Sequence, residues 1–120
     1  ISMKTILMAV AIVIMASSVQ ADPGEKVFRK CTACHNITKE KHKMGPHLVN
    51  VFGRTAGTVE GYKKYSKAIK ASGIVWNEET LDGFLTKPKK YLKGTKMIFA
   101  GLKTEKDRAD VIAYMKKFSN

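Results

Sequence analysis

The chain has 120 residues, and 22 lysines and arginines stand against 10 acids, a formal charge of +12. That length allows one small domain with a limited core, and its two cysteines, Cys31 and Cys34, lie too close in sequence to reinforce that core as a disulfide loop. The positive charge calls for an acidic partner; scattered Lys-Lys pairs, with neither an Arg-rich block nor an aromatic stacking face, argue against nucleic acid and for an acidic protein patch.

Met3 to Ala21 reads as a cleavable secretory leader, with Met3 as initiator and Ile1 and Ser2 upstream of it. Lys4 is the positive start, Thr5–Ala16 the apolar run, and Val19-Gln20-Ala21 a small-x-small cleavage site. The apolar run is shorter than the ~20 residues that span a bilayer. The expectation is therefore export to the periplasm, with residues 1–21 removed and the domain proper over 22–120; an uncleaved anchor is the alternative.

Pro23-Gly24 opens a helix with Val27, Phe28 and Cys31 on one face. Asn36 to Gly61, rich in Gly, Asn, Lys and Thr, reads as long irregular loops, unusual in a small domain unless wrapped on something. Ser66–Ala71 forms a short helix stopped at Gly73. Asn77 caps the next helix, whose stripe is Leu81, Phe84 and Leu85 and which Pro88 ends. A loop follows over Lys93–Lys103. Thr104 then caps a C-terminal helix, with Asp107 completing a variant of the capping box. Val111, Ile112, Met115 and Phe118 form its buried stripe, and Lys116 and Lys117 suit its C-terminal dipole end. No run alternates as strands do, so the fold class is all-α, with few helices and long loops.

The chemistry-bearing run is Cys31-Thr32-Ala33-Cys34-His35, which admits three readings. Thiol–disulfide exchange expects a βαβ context that is missing. Zinc needs four ligands, and only His42 and His47 remain to supply them. Haem c attachment explains both thiols and the adjacent imidazole. A large flat haem would also supply the core that the chain is too short to build.

A second axial ligand must then be found, or the site is open; the candidates are the six methionines. Met3, Met8 and Met15 lie in the leader, Met115 in the C-terminal stripe, and Met44 too near His35 to reach the opposite face easily. Met97 is left, in a loop between Gly94 and Gly101. A thioether favours ferrous iron, so a His/Met pair raises the reduction potential and closes both axial positions. Such a centre passes electrons and resists oxygen and peroxide.

Further stretches complete a pattern: Val27–His35, Lys43-Met44-Gly45-Pro46-His47-Leu48, Phe52–Gly57, Ala71–Trp76, Pro88–Tyr91, Gly94–Gly101 and Arg108–Tyr114. In these residues and their order the chain resembles a class I c-type cytochrome, near the cytochrome c2 and mitochondrial-type branch. The resemblance implies the cytochrome c fold around one covalent haem held by Cys31 and Cys34, with His35 and Met97 on the iron. It implies that Pro46 accepts the hydrogen bond of the ligand imidazole and that Arg54, Tyr65 and Trp76 surround the propionates. Thr95, in the methionine loop, belongs with these cofactor-binding residues. Gly24, Phe28, Val111 and Tyr114 match a contact between the terminal helices. Phe84, Ile69 and Lys93 depart from frequent tyrosine, asparagine and proline.

Lys30, Lys43, Lys89, Lys90, Lys96 and Lys103 fall where lysines ring the haem edge in relatives. The implied protein is a monomeric electron carrier rather than an enzyme. It docks on acidic patches of membrane redox complexes: a cytochrome bc1 complex as donor, a photosynthetic reaction centre or a terminal oxidase as acceptor. Two competitors stay open at this point. One is a haem peroxidase or sensor, which would need Met97 absent or labile; the other is a thiol-exchange module.

Overall fold

The computed structural model describes residues 8–13 and 21–120; most of the leader read over Met3–Ala21 lies outside the described residues. None of the described helices is long and apolar enough to cross a membrane. The elements are α1 (Pro23–Phe28), α2 (Lys67–Ala71), α3 (Glu78–Thr86), α4 (Pro88–Tyr91) and α5 (Glu105–Lys116). Among the described residues the only strand-like feature is an isolated antiparallel bridge, Thr55 to Val75.

The helix ends follow from their caps. Asp22 caps α1, accepting from the Gly24 amide at 2.8 Å, and its carboxylate also pairs with Lys117 just past the end of α5. Ser66 caps α2 by accepting from Ile69. Asn77 and Thr80 form a full capping box on α3. Thr104 caps α5 through the Asp107 amide. One element differs from the sequence reading: Pro88 ends α3 and also opens α4. Its fixed φ and missing N–H suit the first position of a helix, so the same residue closes one and begins the next.

The terminal helices cross where Gly24 meets α5. A Cβ on Gly24 would lie 2.1 Å from the Asp110 carbonyl oxygen and 2.5 Å from Tyr114 Cβ, so only glycine admits this approach. Phe28 stacks at a tilt on Tyr114, ring centroids 5.5 Å apart, and Val111 is fully buried beneath. Gly24→Ala is therefore expected to destabilise the protein by about 2 kcal/mol through overpacking, read as a lower urea midpoint. An unchanged midpoint would show that the crossing relaxes at no cost.

The loops are not idle linkers. Ile37, Val51, Ala56 and Leu102, all outside helices, are buried with Phe28, Trp76, Leu81, Phe84, Val111, Ile112 and Met115. Leu48, Phe52, Ile69, Ile74, Leu85, Leu92, Met97 and Phe99 pack against this cluster but stay only partly covered by protein. The irregular segments thus bring apolar side chains together without backbone ladders to hold them.

Candidate functional site

The cysteine turn grows directly out of α1. Lys30 and Cys31 donate to the carbonyls of Val27 and Phe28, tightening the helix end; Cys34 and His35 then both donate to the Cys31 carbonyl. That single turn sets the Cys31 and His35 side chains on neighbouring positions of one face. Cys31 is half-buried and its thiol is pushed up to about 11, first by burial and then by the Cys34 charge. A thiol so protonated at neutral pH is a poor exchange nucleophile, which counts against a thiol–disulfide role.

His35 is oriented with its chemistry fixed. Its Nδ1 lies 2.6 Å from the Pro46 carbonyl oxygen, which can only accept, so Nδ1 carries the proton and Nε2 keeps its lone pair. Burial is the main force holding this imidazole below its usual pKa; the Pro46 bond opposes it, and the charges of Arg54 and Lys43 add to it. The ring is therefore neutral at pH 7, as a metal ligand must be. Gly45 makes room for it, since a Cβ there would sit 2.4 Å from His35 Cε1.

Arg54, Tyr65 and Trp76 come from separate segments. The bridge region joins two of them: Trp76 donates its amide to the Arg54 carbonyl at 3.0 Å, and Gly53 donates to the Trp76 carbonyl at 2.7 Å. The Arg54 guanidinium turns inward, donating to the His47 carbonyl at 3.0 Å, and burial lowers its pKa. The Tyr65 hydroxyl accepts from the Val59 amide at 3.2 Å. Trp76 is buried against Phe84, centroids 5.1 Å apart, and Phe84 in turn meets Tyr91.

Met97 is half-buried in the loop after α4, and its amide donates to the Thr95 hydroxyl at 3.3 Å. Lys30, Lys43, Lys89, Lys90, Lys96 and Lys103 are all exposed. Lys30 and Lys43 flank the cysteine turn, where Lys43 reaches the Thr32 carbonyl. Lys89 and Lys90 line a hollow of about 450 Å³ with Lys87, Ile98 and Phe99, beside the methionine loop. A second hollow of about 580 Å³, between α3 and α5, is bordered by Glu78, Asp82 and Lys116 and touches none of these site residues.

The zinc reading fails on geometry. Both ring nitrogens of His42 are engaged: Nδ1 accepts from the His47 amide at 3.2 Å, and Nε2 donates to the Glu60 carbonyl at 2.9 Å. No group of three or more potential metal ligands assembles among the described residues. His42 and His47 instead stack on each other, centroids 5.1 Å apart, a contact without any sequence signal.

The residues suit haem c. Arg54 is a largely buried cation that no carboxylate pairs among the described residues. Beside it the buried Nδ1 of His47 has no protein partner. A group bearing carboxylates answers both. Two thiols next to an oriented, neutral imidazole, with half-covered apolar side chains from several loops, answer the macrocycle.

Comparisons with known proteins agree with this chemistry. Residues 21–119 match the family described as Cytochrome c. The chain is 53% identical over 97 residues to a cytochrome c of Euglena viridis, covering 80% of this chain and 94% of that protein. It is 48% identical over 105 residues to a cytochrome c2 of Blastochloris viridis, covering 87% and 82% respectively. Among solved structures it is similar to cytochrome cH from Methylobacterium extorquens, with a TM-score of 0.76 and 44% identity over 82% of this chain and 98% of that one.

Proposed function

The chain belongs to the cytochrome c family of haem c electron carriers, and from that premise we propose that it is a periplasmic shuttle whose iron is held by His35 and Met97. The observation that carries the ligand reading is the 2.6 Å contact from His35 Nδ1 to the Pro46 carbonyl, which leaves Nε2 free and fixes its direction. Bound haem supplies a one-electron couple. Cys31 and Cys34 hold it, His35 offers a neutral lone pair made more electron-rich by the Pro46 carbonyl, and Met97 offers a soft thioether. Arg54, Tyr65 and Trp76, with Thr95 in the methionine loop, balance and cover the cofactor's polar edge. Phe84, lodged between Trp76 and Tyr91, has no hydroxyl to donate toward the methionine sulfur.

The leader directs the chain outward, and processing after Ala21 frees Asp22 as the cap of α1; protein recovered from the periplasm should begin at Asp22. The partners are acidic faces of membrane redox complexes, a cytochrome bc1 complex as donor and a reaction centre or terminal oxidase as acceptor. Lys30, Lys43, Lys89, Lys90, Lys96 and Lys103 form the docking face, and long-range attraction sets the encounter rate. Screening shortens from ~10 Å at 0.1 M salt to ~3 Å at 1 M. Stopped-flow reduction by purified bc1 complex should therefore slow steeply with salt. Replacing Lys89 and Lys90 together by glutamine should slow it several-fold at low salt and hardly at all at 1 M. A salt-independent rate would refute the docking face.

A further inference from the structure

Resting on the reading of Met97 as a ligand, we propose that Arg108 is a positioning residue that latches the methionine loop, so that its bonds set how firmly Met97 stays on the iron. Arg108 stands in the first turns of α5 with its side chain only 12% exposed. Its Nε donates to Asp82 Oδ1 on α3 at 2.7 Å. Its Nη1 donates to the carbonyls of Leu102 and Lys103, at 2.9 and 3.2 Å. One guanidinium thus ties together α3, α5 and the exit of the loop that carries Met97.

The loop depends on its ends. At its entrance Thr95 donates to the Leu92 carbonyl and Met97 to the Thr95 hydroxyl. From Ile98 to Gly101 no backbone–backbone hydrogen bond is found among the described residues, and Ile98 is 92% exposed. Order returns at Leu102, which is buried, donates its amide to the Leu85 carbonyl at 2.7 Å and gives its own carbonyl to Arg108. Losing the Arg108 bonds would leave the exit held by the Leu102 amide and the burial of Leu102, with Phe99 packed on the core, and would free the Leu102 and Lys103 carbonyls to move with the loop.

The side-chain chemistry is specific to arginine. The planar fork serves a carboxylate with one edge and two carbonyls with another, which an ammonium on a flexible stem cannot reproduce. Charge-assisted bonds from a nearly covered guanidinium are also stronger than neutral ones. Asp82 contributes by holding the fork in register, since its carboxylate fixes Nε while Nη1 faces the loop.

The test uses the haem-loaded ferric protein and imidazole, a small ligand that takes the methionine position only when the loop yields. Its affinity is read by absorbance and global stability separately by urea. Met97→Ala is expected to bind imidazole much more tightly than the unaltered protein, Arg108→Gln about tenfold more tightly, and Arg108→Lys and Asp82→Asn about threefold. Lys106→Ala, which breaks only the exposed Lys106–Asp110 pair, should leave the affinity unchanged. A merely structural arginine would lower the urea midpoint without moving the imidazole affinity. Tighter binding by Met97→Ala with no change in Arg108→Gln overturns the latch and leaves the ligand reading standing. No tightening in Met97→Ala overturns the ligand reading and the latch with it. If Arg108→Gln does not fold, Asp82→Asn decides, and an unchanged affinity there overturns the proposal.

Discussion

Replacing Cys31 and Cys34 together by serine is expected to leave a chain that neither retains haem nor folds cooperatively. The protein part of the core is small, and much of its apolar surface comes from loops. Leu48, Phe52, Ile69, Ile74, Leu85, Leu92 and Phe99 pack on the buried cluster but stay only partly covered by protein. Of the helices, α2 has 5 residues and α4 has 4, far below the ~12 at which an isolated helix becomes even marginal. Covalent haem adds a large apolar surface for these side chains to close on and ties the end of α1 to the centre of the molecule. Far-UV circular dichroism with urea titration reads the effect. The expected result is loss of most helical signal and of a sigmoidal transition; native helix content with a sharp transition would contradict it.

Met97→Ala carries the second large effect, this time on the electron rather than the fold. Met97 is half-buried and its loop is anchored at both ends, by Thr95 on one side and by Leu102 with Arg108 on the other, so the chain survives its removal. On the proposed ligation, what is lost is the soft ligand that favours ferrous iron. The reduction potential is expected to fall by on the order of 0.1 V, a modest part of the ~0.8 V range that axial ligation spans across haem proteins. The same variant should bind small ligands that the unaltered protein excludes. Redox titration and ligand titration read the two consequences, and an unchanged potential would mean that another group occupies the sixth position.

Much of this architecture is legible in the sequence because its causes are local. Pro23-Gly24, Asn77 and Thr104 announce helix starts in the sequence, and the structure displays the Asn77 and Thr104 caps; the caps at Asp22 and Ser66 are seen only in the structure. Pro88 is only half legible, since its signal as a terminator is the same as its signal as a first helical residue. The positions of Cys31, Cys34 and His35 follow from one turn of backbone, and the Gly45-Pro46 pair from the space and carbonyl that an imidazole needs.

Residues whose roles depend on long-range contact are less visible. Arg54 would pass as a solvated surface charge, and family likeness alone draws attention to it; the structure turns its guanidinium inward to the His47 carbonyl. Ile37 and Val51 are core residues without any periodicity to betray them, because irregular backbone imposes none. Arg108 leaves still less trace. Its partners on the loop are carbonyl oxygens, which every residue carries, and Asp82 lies a whole helix and loop away in sequence.

Electron carriage by this chain requires a closed iron centre, and the optical spectrum of the purified ferric holoprotein tests that most directly. A weak deep-red band from methionine sulfur on iron, absent in Met97→Ala, is the predicted result. A high-spin spectrum without that band would contradict the His35/Met97 assignment and make this an open haem, suited to binding small ligands rather than to carrying electrons.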